Sequence, residues 1–191
     1  MKDFLFYLKL GWEHIISWDA LDHQLFILAL IVAYTFNDLK KLIILITAFT
    51  VGHSITLALS VLDVYRLPSN LVEFLIPLTI VITALDNILL KNQTKSLMTV
   101  NYFLALFFGL IHGLGFANTA RMMMAKEQSI AIPLLGFNIG LELGQIVVVI
   151  IFLVISFILT SILRANNRDW ILFVSSCVFA LALQMTLQRI P

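Results

Sequence analysis

The residues of this chain that could do chemistry are its four histidines and a small set of carboxylates, all within or beside long apolar stretches. They are His14, Asp22, His23, His53, Glu73, His112 and Glu142. Ionisable side chains are costly inside a bilayer, so they have to contact one another, water or a bound ion. Imidazoles and carboxylates together suit a borderline divalent ion such as Ni²⁺, Co²⁺ or Zn²⁺. The residue types therefore indicate a divalent metal site.

The composition places these residues in a membrane protein. Of 191 residues, 61% are hydrophobic and 12% are charged, and long uncharged runs are typical of transmembrane helices. The formal net charge of +1 predicts no nucleic-acid partner. Cys177 is the one cysteine, which excludes a disulfide or a thiolate metal cluster within a single chain. We predict an all-α, polytopic helix bundle with the lipid bilayer as its partner.

Six apolar runs are long enough to cross about 30 Å of hydrocarbon at about 1.5 Å per residue. They are predicted near residues 20–38, 42–62, 71–90, 99–121, 134–163 and 170–188. Residues 3–16 are apolar but too short to cross, so we expect a short N-terminal helix that is interfacial or tucked into the bundle. The connections are short and polar, which predicts a single integral membrane domain over residues 1–191.

The alternating direction of these helices predicts that the ionisable residues share one depth. The face of the membrane that carries the N-terminus is named the near side. His53 and His112 lie about nine residues before the near-side end of their helices, and Glu73 and Glu142 within about eight residues of the start of theirs. A single histidine is explained equally well by hydrogen bonding between helices. A whole set at one depth favours a shared site.

Polar neighbours are expected to orient the metal ligands. These are Asp19, Ser54, Thr56, Asn138 and Gln145. Asn138 and Gln145 share a helix face with Glu142 because they follow i, i+4, i+7 spacing. Hydroxyl groups near His53 are of the kind that fix an imidazole tautomer.

Two further patterns concern helix packing. Gly136, Gly140 and Gly144 recur every four residues and predict close contact with a neighbouring helix. The segments FTVGHS and FGLIHG both read Phe-x-x-x-His-small, and each precedes a helix with an early glutamate. This repeat favours two like-oriented helical hairpins, as in transporters built from repeats.

Five blocks of motifs occur in order: GWEHI with LDHQLF, FTVGHSITLAL, EFLIPLTIVITALDN, FGLIHGLGFA and LLGFNIGLELGQ. With them the chain resembles the HupE/UreJ family of bacterial membrane proteins over nearly its whole length. Members are regarded as nickel or cobalt permeases, or as accessory proteins of hydrogenase and urease. The resemblance implies a multi-pass protein of the bacterial inner (cytoplasmic) membrane that handles a divalent metal ion. It places the seven residues named at the outset on the motif positions of the family.

The first motif departs from the family pattern. In the nickel members a histidine and a glycine precede an Asp-His pair at a shorter spacing, whereas here seven residues without glycine separate His14 from Asp22. In a continuous helix His14 and His23 would point in opposite directions, since nine residues turn through about 900°. The chain must therefore bend near residues 17–19 if both bind one ion.

Three functions are compatible with this site. The first, which we expect, is a divalent metal permease, with Asp86, Asn87 and Asn101 as candidates for the path to the far side. The second is a membrane-embedded, zinc-type hydrolase in which Glu142 or Glu73 is the general base. The third is a metal-binding accessory or sensor protein. Assembly as a homo-oligomer is left open by the sequence.

Overall fold

The structure is a computed structural model, and it describes residues 2–89, 95–124 and 129–191. The described residues form eight helices and no strands, which confirms the expected all-α bundle. The helices are α1 (Lys2–Ile16), α2 (Leu21–Ile31), α3 (Leu39–Val61), α4 (Ser69–Leu89), α5 (Lys95–Gly115), α6 (Ala117–Met124), α7 (Ala131–Phe157) and α8 (Asn167–Gln188). Single 3₁₀ turns precede α2 and α3, and a π-helical turn, Ile158–Ile162, continues α7.

Within the described residues, four helices are long and apolar enough to cross a membrane by themselves, namely α3 with its preceding turn, α4, α7 with its π-helical turn, and α8. Together α5 and α6 form a fifth candidate span, bent by 56°. The run expected at 20–38 is not one spanning helix, because α2 has only 11 residues and is about 16 Å long. Thr35 and Asp38 form a reciprocal cap on the 3₁₀ turn Phe36–Asp38, so the next helix begins inside the run that was predicted to end at residue 38.

The N-terminal helix is tucked into the bundle along α7. A Cβ atom on Gly140 would lie 1.9 Å from the carbonyl oxygen of Leu8, and one on Gly144 would lie 3.0 Å from the Cβ atom of Ile15. The residue numbers rise along both helices from one contacting pair to the next, so α1 and α7 run in the same direction. The glycine pattern predicted from the sequence is therefore the seam along which the two backbones touch.

The two Phe-x-x-x-His segments lie side by side on α3 and α5. A Cβ atom on Gly109 would lie 2.2 Å from the carbonyl oxygen of Phe49, and one on Gly113 would lie 2.4 Å from that of His53. The helices run in the same direction, as the repeat indicated. Their close approach brings His53 next to the turn that carries the second histidine of the repeat.

Helices α2, α4 and α8 are joined at both ends. At the far end, Arg168 on α8 donates to the carbonyl oxygen of Asn87 (3.0 Å), and the side-chain amide of Asn87 donates to that of Ala29 on α2 (2.6 Å). At the near end, Arg189 pairs with Asp22 at 3.0 Å. These contacts fix the depth of α2 and therefore the depth of its Asp-His pair.

Candidate metal site

The bend required between His14 and His23 is present. Helix α1 ends just before Ser17, and a 3₁₀ turn leads into α2. The side-chain amide of Gln24 donates to the carbonyl oxygens of Ile15 and Ser17, both at 3.0 Å. Ile15 belongs to the last turn of α1, where carbonyl groups have no partner within the helix. As a result the ring centroids of His14 and His23 lie 4.6 Å apart.

The four imidazoles converge from four helices. One ring nitrogen from each of His14, His23 and His53 lies within 4.8 Å of the others. His112 adjoins this group, with its ring centroid 5.1 Å from that of His23. His53 and His112 are fully buried, and His23 is 7% exposed. Rings that the sequence separates by up to 98 positions therefore form one cluster, named here the imidazole cluster.

The buried nitrogens of the imidazole cluster are suited to bind a cation. Nε2 of His14, Nε2 of His23, both nitrogens of His53 and Nδ1 of His112 are buried without a hydrogen-bond partner among the described protein atoms. Leaving a buried polar atom unpaired costs about 1–3 kcal/mol, and native proteins rarely do so. Each neutral imidazole has one nitrogen with a free lone pair, so this donor set fits a divalent transition-metal ion.

The geometry of the imidazole cluster is close to that of a metal site. Nitrogens that bind Zn²⁺ at about 2.05 Å in a tetrahedron lie about 3.3 Å apart. The nitrogens of the three-histidine group lie within 4.8 Å of one another, so each pair has to approach by at most about 1.5 Å around an ion. Aromatic rings enclose the cluster: the ring centroid of Phe116 lies 4.4 Å from that of His14, and that of Phe49 lies 5.2 Å from that of His112.

A cavity of about 290 Å³ opens beside the imidazole cluster. Its lining includes His14, Asp22, His23, Glu73, His112 and Arg189. One carboxylate oxygen of Asp22 accepts a hydrogen bond from Arg189 at 3.0 Å, whereas the other, Oδ1, is buried with no partner among the described protein atoms. The carboxylates of Asp22 and Glu73 thus share one cavity with three imidazoles, and they can offset the charge of a bound cation.

A second cavity of about 230 Å³ shares Glu73 and Gly115 with the first and also contains Arg66 and Arg121. Arg66 hydrogen-bonds Asp63 in the exposed loop after α3, which holds the pKa of that carboxyl below its usual value. The near-side approach to the imidazole cluster therefore carries charges of both signs.

Glu142 and Gln145 accept hydrogen bonds from hydroxyl groups on α3. Thr47 on α3 donates to Glu142 at 2.7 Å, and Thr50 donates to Gln145 at 2.9 Å. Glu142 is not among the described residues that line the cavity. These two pairs connect α7 to α3, so the polar face recognised on α7 contacts α3 hydroxyl groups.

The other residues expected to orient ligands are not seen to contact the imidazoles. Ser54 and Thr56 donate to backbone carbonyls one turn earlier in α3, at 2.6 and 3.3 Å. The side-chain oxygen of Asn138 is buried without a partner in the described part of the chain. The side chains of Asp19 and Asn101 lie outside the described residues.

Two residues with polar contacts at the site were not expected from the sequence. Thr79 lies on α4 with its hydroxyl oxygen 3.3 Å from Nε2 of His112. In the sequence, Thr79 is marked by a hydroxyl group within an apolar run. That pattern does not indicate its contact, because His112 lies on a different helix. Arg189 pairs with Asp22 across 167 positions, and no local pattern indicates such a pair.

An all-α bundle of long apolar helices that buries imidazoles beside carboxylates defines a multi-pass membrane protein with a candidate metal site. The family model described as "HupE / UreJ protein" matches residues 1–189. The chain therefore belongs to the HupE/UreJ family, and the resemblance carried by its motif blocks is confirmed. Neither a curated protein nor a solved structure gives a significant match.

Proposed function

We propose that this protein binds a divalent nickel, cobalt or zinc ion within the membrane and carries it across the bacterial inner membrane. The observation that supports this most strongly is the convergence of nitrogens from His14, His23 and His53 within 4.8 Å. Membership of the HupE/UreJ family, whose members are associated with nickel and cobalt handling, supports the same function.

In this proposal His14, His23 and His53 are the principal ligands, and His112 adds Nδ1. Imidazole suits nickel and zinc, and the described donor set has no thiolate that would favour Cu(I). Asp22 lies within reach of the cavity and offsets the positive charge of the ion. Glu142 instead stabilises the contact between α3 and α7.

Transport requires a path to the far side, and in this proposal three aromatic rings that pack against one another lie across it. The ring centroid of Phe26 is 5.1 Å from that of His112, 5.0 Å from that of Phe49 and 5.8 Å from that of Phe108. Phe26, Phe49 and Phe108 are named here the aromatic barrier, and all three are buried. In the proposed cycle these rings move to let the ion pass.

A small cavity of about 90 Å³ lies beyond the aromatic barrier. Phe108, Thr83, Asp86 and Asn87 are among its lining residues. This supports Asp86 as a polar group on the far-side path. Asn87 is already engaged, since its amide donates to α2, so we assign it to helix packing.

A hydrolase is the second candidate, and one observation favours it. Glu73 lines the same cavity as three imidazoles, and a zinc ion with three histidine ligands, an open coordination position and a nearby carboxylate is a hydrolytic arrangement. This candidate predicts metal-dependent hydrolysis without flux. An accessory or sensor function predicts bound metal with neither activity.

The direct test is metal flux into proteoliposomes that contain a metal-sensitive dye. We expect the wild type to transport Ni²⁺ or Co²⁺ and the double variant His53→Asn/His112→Asn to lose at least tenfold in rate, since loss of ligands weakens the site more than the 10–100-fold effect of outer contacts. Thr50→Val is the matched control, because it removes a buried polar group from α3 outside the cluster. Unchanged flux in the double variant would refute the proposal.

A further inference from the structure

His112 has a specific polar contact outside the imidazole cluster. Its ring is fully buried, and its Nε2 atom lies 3.3 Å from the hydroxyl oxygen of Thr79, which is itself 3% exposed. The same hydroxyl lies 2.7 Å from the carbonyl oxygen of Ile76, one turn earlier in α4. Thr79 therefore sits between a backbone carbonyl and an imidazole nitrogen.

Counting protons assigns a direction to both contacts. A threonine hydroxyl has one proton, and a carbonyl oxygen can only accept. The proton of Thr79 is therefore donated to Ile76, at the shorter distance of 2.7 Å. Toward His112 the hydroxyl oxygen presents a lone pair, so Nε2 of His112 must carry the N–H that donates to it. In a neutral imidazole the lone pair is then on Nδ1.

This assignment leaves the lone pair of His112 on Nδ1, and the surroundings of that nitrogen agree with it. Nδ1 of His112 is buried with no hydrogen-bond partner among the described protein atoms. The rings of Phe26 and Phe49 pack against the imidazole with centroid distances of 5.1 and 5.2 Å. These contacts oppose a ring flip that would exchange the two nitrogens.

We propose that Thr79 is a positioning residue that holds His112 in the Nε2–H tautomer and thereby makes Nδ1 its metal-binding atom. The inference rests on the proposed metal site but concerns a residue on a different helix from every ligand that carries an imidazole. The hydrogen bond that a ligating histidine makes with its second nitrogen fixes both the tautomer and the ring orientation.

The test uses Thr79→Val, which keeps the shape of the side chain and removes the hydroxyl. The matched control is Thr83→Val, because Thr83 makes the same kind of hydrogen bond to the backbone of α4, to the carbonyl oxygen of Thr79 at 2.8 Å. Thr83 lines the cavity beyond the aromatic barrier and not the cavity beside the imidazole cluster, where binding is measured. We expect Thr79→Val to weaken binding of Ni²⁺ or Zn²⁺ to the purified protein by about 10–100-fold. Thr79→Ser and Thr83→Val should bind as the wild type does.

A second readout does not require metal. In the metal-free protein, ¹⁵N NMR of the histidines should show His112 with a protonated Nε2 and an unprotonated Nδ1, and Thr79→Val should lose this single tautomer. Protonation of Nδ1 in the wild type, or equal weakening in Thr79→Val and Thr83→Val, would overturn the inference. A wild type that binds no metal but shows the expected tautomer contradicts the proposed function and leaves the Thr79 contact established.

Discussion

The imidazole of His14 lies edge-to-face against that of His23, with ring centroids 4.6 Å apart and planes at 67°. A continuous helix would place these rings on opposite faces, since nine residues turn through about 900°. The bend between α1 and α2 removes this obstacle, and Gln24 bridges it. The metal site therefore depends on a local backbone feature that lies outside the ligands themselves.

The first prediction concerns this bridge. Gln24→Leu removes two hydrogen bonds to the carbonyls of Ile15 and Ser17, each contributing about 0.5–1.5 kcal/mol. We expect a lower melting temperature and weaker metal binding by about tenfold, because His14 is no longer held beside His23. Titration with Zn²⁺ measures the affinity. Gln184→Leu on the exposed face of α8 is the control, and an equal loss in both variants would show that Gln24 has no specific role.

The second prediction concerns the glycine contact between α3 and α5. Gly113→Ala would place a Cβ atom 2.4 Å from the carbonyl oxygen of His53, so the helices must separate and the imidazoles with them. We expect loss of both thermal stability and metal affinity. In Gly115→Ala the nearest contact is the flexible end of Ile76 at 2.7 Å, so this control should be tolerated. Comparable behaviour of the two variants would contradict the prediction.

The third prediction concerns the ion pair at the cavity. The guanidinium of Arg189 lies 3.0 Å from Asp22 and competes with a cation for that carboxylate. Arg189→Gln should therefore bind Ni²⁺ several-fold more tightly, and Asp22→Asn less tightly, as measured by equilibrium titration. Lys40→Gln removes the same charge from an exposed position and should have no effect. Weaker binding in Arg189→Gln would show that the arginine orients Asp22 and does not compete for it.

The fourth prediction concerns the aromatic barrier. Phe26→Leu removes the ring that packs against both His112 and Phe108. Because leucine keeps much of the apolar volume, the loss of stability should be smaller than the about 3–5 kcal/mol of a Phe→Ala change. We expect faster metal flux with nearly unchanged metal affinity, because Phe49 and Thr79 still hold the imidazole of His112. Phe152→Leu, a buried ring stacked on Trp170, is the control. Unchanged flux with unchanged affinity would show that the aromatic barrier does not limit transport.

Much of the fold was accessible from the sequence because long apolar runs and glycine spacing are local patterns. The seam at Gly140 and the parallel repeat containing His53 and His112 follow directly from such patterns. The break within the run 20–38 was not predicted, because the Thr35–Asp38 cap that starts α3 sits inside a stretch whose average composition is apolar.

The residue types of the candidate site could be predicted from the sequence, whereas most of its contacts could not. The sequence predicted that the histidines lie together, because the depth of a residue in the membrane follows from counting along its helix. It did not distinguish Glu73, which lines the cavity, from Glu142, which contacts Thr47. Depth says nothing about the direction in which a side chain points around its helix, and that direction depends on helix packing. Thr79 was missed for the same reason.

The most direct test of the metal site is X-ray absorption spectroscopy on the purified protein loaded with Ni²⁺ or Zn²⁺, combined with elemental analysis. We predict one ion per chain, bound by at least three imidazole nitrogens at about 2.0–2.1 Å, with this signal lost in His53→Asn. A protein that retains no metal after titration, or an ion bound without imidazole ligands, would contradict this prediction.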